Sequence, residues 1–76
     1  MEFKNIKDPL KKQEGGDHYT GMRIQPALYI SQNKMSFFEG SVIKYISRHK
    51  EKGGAEDIKK AIHYCELILA MEYQEL

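Results

Sequence analysis

Lys44 and Arg48 stand four residues apart, with Tyr45 between them and Ser41 near the same line. If the segment is helical, the two cations share a flank one turn apart, where like charges repel by about 0.2–0.5 kcal/mol. No carboxylate occupies the adjacent turn positions of that flank, although Glu51 follows Arg48 by three residues. An uncompensated Lys/Arg pair beside an aromatic ring suits a phosphate: the guanidinium grips it with a planar fork and the ammonium supplies a point charge. The plainer alternative is a solvated face with Arg48 folded onto Glu51. Gly15-Gly16-Asp17-His18-Tyr19 is the second candidate. Consecutive glycines let backbone N–H groups converge on an anion. Asp17 could orient His18 or hold a hydrated metal, and Tyr19 could stack on a base. The alternative there is an ordinary turn, Asp17 capping the backbone and Tyr19 plugging the core.

Other groups carry less. Gly15-Gly16 lacks the Gly-Lys-Ser/Thr and the preceding apolar strand of a P-loop, which excludes a conventional kinase fold. Gly53-Gly54 precedes a helix, a good place for phosphate, but Glu56 and Asp57 already hold that positive end, so it reads as a structural turn. His49 falls on an apolar stripe as a core or edge residue, and His63 lies on a polar face. Three histidines without a shared helical spacing make no metal site. Cys65 is the single cysteine, so neither a disulfide nor a Cys-pair zinc site can form.

Three helices must position these groups. Gln25 precedes Pro26, which pushes it out of the helical region, and Pro26 suits the first position of a short helix through Asn33. Ser36-Phe37-Phe38-Glu39 has capping-box spacing, opening a second helix that should run to about Lys50. Lys50, Lys52 and Gly53 suit its end. A third helix begins near Gly54 and could continue to Glu75. At 100° per residue, the second helix lines up Phe38, Val42, Tyr45 and His49, flanked by Ile46. The third lines up Ile58, Ala61, Ile62, Cys65, Ile68 and Leu69, and both stripes read as core. Tyr64, Leu67 and Met71 form a separate line, read as an interface with another subunit.

Size and charge limit the answer. A chain of 76 residues is one domain and buries only about 60% of its unfolded surface; with no disulfide, oligomerisation is the common way to stabilise so small a core. The formal charge of +1 and pI of 7.8 argue against nucleic acid as the partner and make any anion site local. No apolar run approaches the roughly 20 residues of a membrane helix. Residues 1–14 read as a flexible basic arm and residues 15–76 as one helical domain, with the cytoplasm as the expected location. The fold expected is mainly α: a compact three-helix domain with an extended Gly-rich N-terminal lead-in, assembling as a homo-oligomer.

Three blocks of the chain resemble a known family. Gly15-Gly16-Asp17-His18-Tyr19 with Met22, Ile24-Gln25-Pro26 and Tyr29-Ile30 resembles the opening of the small bacteriophage "SaV-like" domain. Glu39 to Arg48 is similar to its central helix, and Lys52 to Ala61 with Tyr64 to its closing helix. The departures are Ser41, where the family usually has Asn, and His49, where an aromatic is expected. The family is largely uncharacterised and often labelled nucleotide kinase-like, because a related domain forms part of a phage nucleotide kinase without the usual P-loop. The resemblance implies a phage-encoded protein that acts in the infected bacterial cell and holds a nucleotide phosphate in an oligomeric site.

By that resemblance Gly16, Asp17, His18, Lys44 and Arg48 are ligand contacts; the residues themselves add Gly15, Tyr19 and Tyr45. Asp17 and His18 are the candidates for catalysis. No cofactor is firmly indicated, and Mg2+ is the candidate if the protein catalyses transfer. The alternative function is a non-catalytic sponge for a nucleotide or cyclic-nucleotide immune signal of the host. A weaker alternative is a DNA- or protein-binding accessory factor using Lys4, Lys7, Lys11 and Lys12.

Overall fold

The computed structural model describes residues 19–75. The basic arm and Gly15, Gly16, Asp17 and His18 lie outside the described residues. Within them the architecture is mainly α: α1 (Pro26–Gln32), α2 (Phe37–Arg48) and α3 (Ala55–Glu72).

Local chemistry sets the boundaries. Gln25 caps α1 in an extended conformation, with Pro26 in the first turn, as its fixed φ and missing N–H favour. At the other end the Asn33 side chain donates to the Tyr29 carbonyl at 2.9 Å. Lys34 takes φ +53°, which lets the Met35 N–H return to the Ile30 carbonyl at 3.0 Å, the closure of a left-handed helix end. The capping box of α2 is present: Glu39 N–H donates to Ser36 Oγ at 3.2 Å, and Ser36 N–H donates to Glu39 Oε1 at 2.8 Å. The second helix stops at Arg48, two residues before Lys50. There the Glu51 and Lys52 N–H groups both donate to the Arg48 carbonyl, at 3.0 and 3.1 Å. Gly54 enters α3 with φ +56° and ψ −137°, a conformation open essentially to glycine alone.

α2 and α3 form an antiparallel hairpin, and α1 lies across α2, with Gly40 buried against Ile30. Pro26, Gly40, Ser41, Asp57 and Ala61 are the buried residues among those described. No large apolar side chain among them is fully enclosed. The expected core face of α3 needs correction. Ala61 is buried and Ile58 and Ile68 are half-buried, but Ile62 and Leu69 are 55% and 42% exposed and Cys65 is also exposed. On α2 the flanking Ile46 is exposed as well. The cause is a rotation of α3: its seam runs along Asp57, Ala61, Tyr64 and Ile68, a polar-headed line at helical spacing. An apolar count alone would not select it.

Candidate functional site: a tyrosine platform ringed by cations

The seam of the hairpin is fastened by a bidentate ion pair. Arg48 Nε donates to Asp57 Oδ2 at 2.9 Å and Arg48 Nη2 to Asp57 Oδ1 at 3.1 Å, with the Gly53 N–H donating to Oδ2 at 3.1 Å. Asp57 is 1% exposed and the Arg48 side chain 13%. A Cβ on Gly53 would run into the Asp57 carboxylate, so glycine there makes room for the pair. The Arg48 hydrogen bonds hold the Asp57 carboxyl below its ordinary value of 3.8, and the same bonds raise the guanidinium further. This corrects the reading of Lys44 and Arg48 as an uncompensated pair. Arg48 is neutralised by Asp57, and Glu51 is not its partner.

Tyr45 lies above this pair. The Arg48 guanidinium sits 4.7 Å from the Tyr45 ring centroid, and the Lys44 and Lys60 ammonium groups sit 5.3 Å from it, all within cation–π range. The ring stacks on Tyr64, with centroids 6.0 Å apart and planes 12° from parallel. Tyr64 in turn meets Phe37 and Phe38 at 6.0 and 6.1 Å. Lys44 and Lys60 are exposed, and neither forms an ion pair among the described residues. Two free ammonium groups from two helices therefore flank one aromatic platform.

Two hollows open beside it. A mainly apolar cleft of about 430 Å³ runs between α1 and α2, its wall including Tyr19, Pro26, Ile30, Ser41, Lys44, Tyr45 and Tyr64. A second groove of about 330 Å³ lies between Tyr45, Tyr64, Glu56, Lys59, Lys60 and His63. Tyr45 and Tyr64 belong to both. Tyr19 closes the seam from the side of the lead-in: burial raises its phenol above the ordinary value of 10, against the pull of the Arg48 guanidinium.

Of the residues singled out from sequence, Tyr19, Lys44 and Tyr45 thus share one wall, and Arg48 lies behind it. Tyr64, expected at a subunit interface, is engaged within the chain's own ring cluster; Leu67 is half-buried and Met71 is 64% exposed. Asp57 and Lys60 were missed. The available signal was the hairpin itself: residues near the turn on one helix meet residues near the turn on the next. Arg48 ends α2 and Asp57 lies in the first turn of α3, and Lys44 and Lys60 each lie about one helical turn further from the loop. Among the described residues no group of three or more His, Cys, Asp or Glu could hold a metal ion. No helix among them is long and apolar enough to cross a membrane.

Comparison with known proteins returns one family. No curated protein and no solved structure matches the chain. A family model described as a protein of unknown function, DUF3310, matches residues 6–66, a span that includes the platform, both lysines and the Arg48–Asp57 pair. The chain belongs to the DUF3310 family.

Proposed function

We propose that the protein binds a nucleotide, with the base in the apolar cleft against Tyr45 and Tyr64 and the phosphate on Lys44 and Lys60. The observation that carries the reading is the pair of lysines, each 5.3 Å from the Tyr45 centroid and without a carboxylate partner among the described residues, beside a cleft of about 430 Å³. That volume falls within the 300–1,000 Å³ of small-molecule sites. An aromatic wall takes a flat base, and two ammonium groups at its rim take an anion. The resemblance to phage "SaV-like" domains supports a phage-encoded protein acting in the infected cell, assembled as a homo-oligomer in which the Gly15 to Tyr19 segment completes the site.

Binding without transfer is the form we favour over kinase-like chemistry. Phosphoryl transfer must compensate the charge of two phosphate-bearing substrates. With Arg48 committed to Asp57, Lys44 and Lys60 supply compensation for about one phosphate group. Asp57, nearly fully buried and bonded to both Arg48 and Gly53, is not available as a base. A sponge for a nucleotide signal needs only the platform and the cations. Incubating the protein with a nucleotide panel that includes cyclic dinucleotides, then heating it and analysing the supernatant, separates the readings. A ligand released unchanged supports sequestration. New phosphorylation states after incubation with ATP and Mg2+ support transfer, and neither binding nor turnover would refute both.

A further inference from the structure

Among the described residues, the side of the hairpin opposite Lys44 and Lys60 has no partner. Helical geometry puts Val42 and Ile46 of α2 on the same side as Ile58, Ile62, Cys65 and Leu69 of α3. Ile46, Ile62 and Leu69 are 47%, 55% and 42% exposed, and Cys65 is exposed too. Eighteen residues of α3 span about 27 Å, and two helices packed side by side give the face a breadth of roughly 20 Å. That is large enough to supply much of the roughly 800 Å² each partner contributes to a stable interface. It is a contiguous apolar patch on a chain whose described residues enclose no large apolar side chain.

We infer that this face packs antiparallel against the same face of a second copy. The charge pattern selects that occupant. Lys59 and Glu66 lie on one flank of the apolar line, seven residues apart, and both are exposed. In an antiparallel pair related by a two-fold axis, like flanks meet. Centring the axis near His63 and Tyr64 sets Ile62 against Cys65 of the second copy and Ile58 against its Leu69. The same arrangement brings Lys59 to within two residues of register, about 3 Å along the helix axis, of Glu66 of the second copy, and Glu66 equally near its Lys59, within reach of both long side chains. In a parallel two-fold pair opposite flanks meet, so Lys59 and Glu66 would not come together and the charge match is lost. The face lies away from the tyrosine platform, so both platforms of the dimer remain open to ligand. This inference rests on the self-association proposed above and not on the identity of the ligand.

Light scattering on the purified full chain tests it. The wild type should have at least twice the mass of one chain. Leu69→Glu should lower that mass at least two-fold while far-UV circular dichroism keeps its helical signal. Lys59→Glu should also weaken association, and the double swap Lys59→Glu with Glu66→Lys should restore it, which a purely structural role for either residue would not produce. A monomeric wild type would overturn both self-association and this interface. An assembled wild type whose mass is unmoved by Leu69→Glu, or a double swap no better than Lys59→Glu, would overturn the interface alone.

Discussion

On one side of the α2–α3 hairpin, Lys44 and Lys60 stand over Tyr45 with no carboxylate partner among the described residues. On the other, Ile46, Ile62, Cys65 and Leu69 face outward with no packing partner among the described residues. Both faces are incomplete, in different ways. The first has cations and aromatic surface that lack an anion, and the second has apolar surface that lacks cover. The difference follows from what fills the seam between them. Arg48, Asp57 and Ala61 occupy positions that a larger helical hairpin would fill with bulky apolar groups, so the apolar side chains of α3 are displaced to the back. A buried ion pair of this kind sets the rotation of the two helices more than it adds stability.

The largest effect should come from breaking that seam, because it would remove the distinction between the faces altogether. Asp57→Asn or Arg48→Ala leaves one member of the pair buried without its partner and should cause the greatest loss of thermal stability of any single change proposed here, read by circular dichroism. Acid should act the same way. The folded Asp57 pKa is depressed, so its contribution is complete above the unfolded value near 3.8. It is lost as pH falls through the lower folded value. An acid unfolding curve that is unchanged by Asp57→Asn would contradict the pair's role.

Lys44→Ala combined with Lys60→Ala should act on one face only. Loss of charge-assisted contacts worth about 1.5–3 kcal/mol each should weaken nucleotide binding by more than ten-fold in titration calorimetry, with no change in mass by light scattering. If the double variant changed the mass instead, the two faces would not be separate. The smallest effect should come from Ser36→Ala, which removes a cap well away from the back face. It should cost about 0.5–2 kcal/mol and lower the midpoint of thermal unfolding by roughly 4–8 °C per kcal/mol.

The elements were legible in the sequence because their signals are local. Pro26, the Ser36–Glu39 box and Gly53-Gly54 each act within a turn of themselves, and each sits where the spacing puts it. α2 ends two residues short of Lys50: Lys50 and Lys52 suit a position just beyond a helix end as well as the end itself. The rotation of α3 was not legible from its apolar pattern, since Ile58, Ile62, Cys65 and Leu69 give it as good a stripe as the one it buries. Deciding between them requires knowing that Asp57 meets Arg48, a contact across the turn. Lys44 and Tyr45 were legible as candidate binding residues. Lys60 was not, because its place beside Tyr45 depends on that same register.

The most direct measurement is calorimetric titration of nucleotides and cyclic dinucleotides into the wild type and into Lys60→Ala, which removes one of the two ammonium groups beside the Tyr45 ring. Saturable binding by the wild type, weakened about ten-fold or more by Lys60→Ala without loss of helix content, is the result expected of a phosphate held between two helices. No heat of binding from any nucleotide, or binding left unchanged by Lys60→Ala, would contradict it.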